Sequence, residues 1–160
     1  MSDILCIYYS RTGNTKKAMV EIAAELDAEL VEITDHANRA GLFGWLRCGR
    51  DAVSRTVQPV KPFRAERPLE DYRLVIVGSP IWAGRCSSVV RSFLKEYGGR
   101  IRAAAFLVTR GSEHRSEEVF EQMDLYVPRG HRAAGSLRLG SVGYDFWKEE
   151  FLRQVREFLG

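Results

Sequence analysis

Hydrophobic and polar positions follow two periods along this chain. Three short runs are apolar almost without a break. They are Ile4 to Tyr9 (ILCIYY), ended by Ser10; Leu74 to Val77 (LVIV), ended by Gly78; and Ala103 to Val108 (AAAFLV), ended by Thr109. Runs of this length bounded by turn residues predict strands covered on both faces. Leu30 to Thr34 (LVEIT) and Ala133 to Leu139 (AAGSLRL) alternate instead, as strands at the edge of a sheet do. Between the strands the spacing turns helical. Ala18, Met19, Ile22, Ala23 and Leu26 share one face, and so do Val89, Val90, Phe93, Leu94 and Tyr97. Val119, Phe120 and Met123 mark a third helix, and Trp147, Phe151, Leu152, Val155, Phe158 and Leu159 a last one. Gly41 to Arg55 repeats the pattern more weakly through Leu42, Trp45, Leu46 and Val53, before Pro59, Pro62 and Pro68 mark a loop.

The predicted order is βαβαβαβαβα, which implies a parallel sheet with helices on both faces, a three-layer α/β fold. Numbered along the chain, strands one, three and four are the central ones, and strands two and five the edges. The five-stranded order 2-1-3-4-5 satisfies this, whereas 3-2-1-4-5-6 would leave the very apolar third strand at an edge. A length of 160 residues suits one domain, 1–160, with one core, and no linker or repeat divides it.

Composition narrows the function classes. Hydrophobic residues make up 45% and charged residues 28% of the chain, and no apolar run approaches a membrane span. Met1 to Tyr9 has neither a basic start nor a small-residue cleavage site, so it reads as structure rather than a signal peptide. Three cysteines, Cys6, Cys48 and Cys86, without a CxxC, fit neither a disulfide framework nor a zinc site and imply a reduced cytoplasmic compartment. The net charge of +3 comes from dispersed arginines. Without a basic stripe, nucleic acid is not an expected partner.

In an open parallel sheet, ligands bind beyond the carboxyl ends of the strands where the order reverses, here between strands one and three. The loop leaving strand one is Ser10-Arg11-Thr12-Gly13-Asn14-Thr15. It carries three hydroxyls, an amide and a glycine into a helix start, where unpaired N–H groups favour a phosphate. It is neither G-x-x-x-x-G-K-S/T nor G-x-G-x-x-G, and a Cys-x5-Arg phosphatase loop fails because Thr12 stands at the arginine position after Cys6, which lies inside the strand. After strand three comes Gly78-Ser79-Pro80-Ile81-Trp82-Ala83-Gly84-Arg85-Cys86, whose tryptophan would gain by covering a flat ligand. After strand four comes the polar stretch Thr109-Arg110-Gly111-Ser112-Glu113-His114.

SRTGNT after ILCIYY resembles the phosphate loop of flavodoxins, and GSPIWAG resembles their second flavin loop. The likeness extends to the element order of the whole chain, with strand five uninterrupted as in the short-chain form. It implies a flavodoxin-like fold with FMN as cofactor. Ser10, Arg11, Thr12, Gly13, Asn14 and Thr15 would bind the phosphate. Pro80, Ile81, Trp82, Ala83 and Gly84 would line the flavin, with Ala83–Gly84 the peptide able to flip toward it. Thr109, Arg110, Gly111 and Ser112 would approach the pyrimidine edge or ribityl chain.

The sequence departs from that family in charge. Flavodoxins are acidic around the flavin, but here Arg11, Arg85 and Arg110 surround the expected site. A cation near the ring favours its reduced anion, so Arg85 or Arg110 is expected to raise the second reduction potential. No tyrosine follows strand four to cover the second flavin face. His114 is the remaining candidate there, with a surface role as its default reading. His36, His114 and His131 are scattered, and no catalytic acid, base or metal set is expected.

Three functions fit these residues. The first is an electron carrier serving a redox partner protein, as a monomer or homodimer. The second is an FMN-dependent NAD(P)H or quinone oxidoreductase acting on a small acceptor, including the protoporphyrinogen-oxidase kind. The third is a flavin-free binding or regulatory module. A receiver domain would need an Asp at the end of strand three, where Gly78-Ser79 stand. For Gly41 to Leu46, core packing is the default reading, with a lid near the site or a dimer contact as alternatives.

Overall fold

The computed structural model describes residues 2–37, 39–54 and 59–160, with side chains left aside at 52–54. Arg55 and the Val53 side chain, both part of the expected weak helix, lie outside the described residues. So does Met1, the first residue of the expected non-signal segment.

The strands are β1 (Ile4–Tyr8), β2 (Glu29–Glu32), β3 (Leu74–Trp82), β4 (Arg85–Cys86), β5 (Ala104–Thr109) and β6 (His131–Leu137). The helices are α1 (Asn14–Leu26), α2 (Gly41–Ser54), α3 (Ser88–Tyr97), α4 (Glu118–Asp124) and α5 (Tyr144–Leu159). The sheet runs β2-β1-β3-β5-β6, which is the expected 2-1-3-4-5 order with the short β4 added as a branch on β3. Every pairing along that path is parallel, while β4 lies antiparallel to β3.

Alternate residues of the central strands feed two apolar layers, as the two-residue period of a strand requires. Leu5, Ile7, Val75, Val77, Phe106 and Val108 face Val89, Val90 and Phe93 of α3 and Val119, Phe120 and Met123 of α4. Cys6, Leu74, Ile76, Ala105 and Leu107 face Met19 and Ile22 of α1 and Phe151, Leu152 and Val155 of α5. The stripes expected for α1, α3, α4 and α5 are the stripes that pack, except that Trp147 and Phe158 of the α5 stripe are exposed, where Arg115 and Arg132 lie over their rings.

Two elements differ from expectation. The second loop is not a loop throughout, because β3 continues to Trp82 and turns back through Ala83 and Gly84 into β4. Both turn residues have positive φ, at 49° and 75°. Left-handed conformation at both central positions gives the two-residue hairpin that matches strand twist.

The other difference is α2. Leu42, Phe43, Trp45 and Leu46 are exposed, and the buried face is Gly44, Cys48 and Asp51. The core reading of this segment is therefore overturned. The cause is a buried ion-pair network. Arg39 holds Asp35 at 2.7 Å and Asp51 at 3.0 Å, and donates to Ser88 Oγ at 3.1 Å. Arg91 donates to the Asp51 carbonyl. Gly44 permits this approach, since a Cβ there would stand 2.0 Å from the Arg39 carbonyl carbon. The helix is held by charge on its inner side, so its apolar residues face out.

Breaking such a network strands buried charge. Arg39→Met removes the buried partner of Asp35 and leaves Asp51 with only Arg47 and Arg50 at 3.8 Å, and is expected to lower stability by about 3–5 kcal/mol. Adding Asp35→Asn and Asp51→Asn should restore most of it, as read by urea unfolding. Equal stability of wild type and Arg39→Met would refute this account of α2.

Candidate functional site

β1, β3 and β5 end side by side, with Tyr8 opposite Gly78 and Gly78 opposite Leu107. The three loops predicted to carry the chemistry therefore leave the sheet at one edge.

The first loop is folded by Ser10. Its Oγ accepts from the amides of Gly13 at 3.0 Å and Lys16 at 3.1 Å. Gly13, at φ 97°, caps α1 without a side-chain hydrogen bond. Among the described residues, the amides of Thr12, Asn14 and Thr15 donate to nothing. Unspent donors at a helix start, with the positive end of its dipole, are the arrangement that suits an anion. Thr15 is buried, and its hydroxyl meets that of Thr109 at 2.7 Å, tying the first loop to the third across β3.

Arg11 does two jobs. It lines the cleft, and its guanidinium donates to the carbonyls of Arg39 at 3.0 Å and Gly41 at 2.7 Å, fixing the start of α2 beside the loop.

The third loop is fixed by Arg110, which donates to Ser136 Oγ at 2.9 Å and to the Ser112 carbonyl at 2.6 Å. Partial burial, with Arg115 and Arg138 nearby, holds its guanidinium pKa below the usual arginine range. A fixed cation repelled by its neighbours is well placed to receive negative charge.

These loops enclose a cleft of about 210 Å³. Its walls are Ser10, Arg11, Thr12, Asn14 and Thr15; Pro80, Ile81 and Trp82; Thr109, Arg110 and Gly111; and Trp45. Eleven of the fifteen residues expected at the site therefore line one cleft. Gly13 shapes the loop beneath it, while Ala83, Gly84 and Ser112 are outside the lining. Arg85 lies elsewhere, beside Cys86, Arg91 and Tyr126.

The expected role of Trp82 also changes. Its ring is only 7% exposed, meets Tyr9 edge-on at 5.5 Å and lies 4.9 Å from the Arg39 guanidinium. It supports the cleft floor instead of offering a free face. The exposed aromatic at the rim is Trp45, 60% exposed, within the segment whose alternative reading is a lid near the site, although no motif assigns this ring to the cleft. Its one signal was an aromatic in a weak helix, and only the buried charge of the opposite face turns it toward the cleft. His114 pairs with Glu118 at 3.0 Å and is not part of the lining.

The cysteines take no part. All three are free and buried, and burial pushes Cys6 up to about 12 and Cys86 to about 11. Among the described residues no cluster could hold a metal ion, and no helix is long and apolar enough to cross a membrane.

The sheet order, the layers and the loop-built cleft define the flavodoxin-like class of α/β folds. Solved structures agree. A flavoprotein from Lactobacillus acidophilus, determined in complex with FMN, superposes with a TM-score of 0.68 at 20% identity, covering 92% of this chain and 99% of that one. A candidate flavoprotein from Bacteroides eggerthii gives 0.76 at 16% identity over 100% and 99%. An NADH:FMN oxidoreductase gives 0.56 at 14% identity over 97% and 87%. No protein-family model matches the chain, and no curated protein matches it in sequence. At these identities the likeness establishes the fold.

The left-handed Ala83 is a stored strain in the hairpin, because a Cβ disfavours that conformation. Ala83→Gly relieves it at some cost in chain entropy, for an expected gain of about 0.5–1 kcal/mol. A urea midpoint that is unchanged or lower would contradict the left-handed turn.

Proposed function

We propose that the cleft binds FMN, with the phosphate on the first loop, and that the protein is an FMN-dependent redox protein. One observation carries this reading: the unspent amides of Thr12, Asn14 and Thr15 open onto the same cleft as the hydroxyls of Ser10 and Thr12. Carbonyls and carboxylates would repel a phosphate there, and the lining includes no acidic side chain. The relative solved with FMN and the NADH:FMN oxidoreductase share the fold and so support the choice of ligand.

Bound FMN would supply one- and two-electron redox chemistry. The chain's own residues would do the rest. The α1 terminus and Ser10–Thr15 loop hold the phosphate. Pro80 and Ile81 give an apolar wall to the ring. Arg110, fixed by Ser136, favours negative charge on the reduced ring. Arg85 is too far around the hairpin to share that role, which narrows the expectation of a raised potential to Arg110.

Between carrier and enzyme, the composition of the third loop favours an oxidoreductase acting on a small acceptor. It brings Thr109, Arg110 and Gly111 to the cleft and no aromatic ring to close it. A reactant that must approach the ring needs such access. Three buried free thiols fit a reduced, cytoplasmic setting.

The test is purification in the presence of FMN, followed by potentiometry and steady-state turnover of NAD(P)H with a quinone. A bound, fluorescence-quenched flavin is expected. Arg110→Ala should lower its two-electron potential while Arg110→Lys largely retains it. Sustained turnover identifies an enzyme, and reduction without turnover identifies a carrier. A potential indifferent to Arg110→Ala would remove the residue from its role.

A further inference from the structure

The outward half of α2 gathers four exposed large hydrophobic side chains on one helix. Trp45, Leu42, Leu46 and Phe43 follow one another around the helix over roughly 160° at 100° per residue. They are 60%, 68%, 52% and 85% exposed. Arg50, 74% exposed, shares this half and Arg47 stands at its edge; both also reach the inward Asp51 at 3.8 Å, and Arg11 flanks the helix start. The one acid of the helix, Asp51, is turned inward, held by Arg39 at 3.0 Å and more loosely by Arg47 and Arg50. The outward surface is therefore apolar and cationic, without an acidic group. The helix is not free to roll these residues inside, because Gly44 already touches the Arg39 backbone.

We propose that α2 seats the molecule on an anionic lipid surface and holds the cleft mouth against it. A helix lying in a membrane interface combines Trp, Phe and Leu on one side with arginines that reach back to the headgroups. The excess of arginine over exposed acid matches the negative charge of such a surface. A second copy of the chain fits less well. A two-fold contact through this helix would set Arg47 and Arg50 against the same arginines of its partner. A bilayer also receives a convex apolar stripe without needing a complementary groove.

Trp45 belongs both to this face and to the cleft lining. Docking through α2 would bring the cleft to the depth of the headgroups. An acceptor dissolved in the lipid would then reach it directly. That choice of acceptor rests on the FMN reading above, whereas the docking itself does not.

The test uses the full chain, with and without FMN, and vesicles of phosphatidylcholine alone or mixed with phosphatidylglycerol. Co-sedimentation with the mixed vesicles, weakened by salt, is expected. Phe43→Glu should reduce it about tenfold or more, since a charge replaces an inserted ring, while an unchanged thermal unfolding curve shows the fold intact. Phe146→Glu alters a side chain 65% exposed on α5, a helix packed on the other face of the sheet, and should leave binding unchanged. No binding to mixed vesicles, or equal loss in both variants, would overturn the proposal. So would a dimer abolished by Phe43→Glu in the absence of vesicle binding. A chain that binds vesicles but takes up no FMN would uphold the docking and sink the FMN reading.

Discussion

The level ends of three parallel strands govern everything functional in this molecule. Tyr8, Gly78 and Leu107 stand side by side in the sheet. Their loops therefore leave at one height, with the N-terminus of α1 opening between them. The hydroxyl contact of Thr15 with Thr109 locks the outer two loops together over the middle strand. Register of this kind is set by apolar faces on both sides, because a slip of one residue would turn Cys6 and Ile76 out of one layer and into the other. The core thus fixes the geometry of a site to which it contributes few atoms.

A second constraint acts on α2. Arg39 joins Asp35, Asp51 and Ser88, caps the ring of Trp82, and offers its carbonyl to Arg11. One residue therefore connects the first-loop side of the cleft, through its carbonyl, with the aromatic floor and the helix at the rim, through its guanidinium. This explains how a segment rich in leucine and aromatics comes to lie outside the core. Buried charge has claimed its inner face, and a glycine and a cysteine leave room for it.

The sheet and four helices were legible because their apolar periods are the packing. Ile4 to Tyr9 and Leu74 to Val77 have no polar position to misplace. The first loop was legible because a strand, a run of hydroxyls and a helix start leave few alternatives. Trp82 and Trp45 were not. Both are large rings in glycine-bearing segments, and their fates depend on long-range partners: Tyr9 and Arg39 for one, the inward Asp51 for the other. The hairpin after Trp82 also escaped, since Ala83 hides a left-handed position that glycine or asparagine would have signalled. Arg85 was grouped with the site by sequence proximity, and the turn carries it away.

The central claim is that the first loop recognises a phosphate ester carried by a flavin. Comparing the affinities of FMN and riboflavin for the same protein tests it most directly, because the two differ only in that phosphate. The account predicts that FMN binds about a hundredfold more tightly or better, a preference of roughly 2.7 kcal/mol at the helix terminus and loop amides. Equal affinity for the two, or no binding of either, would contradict it.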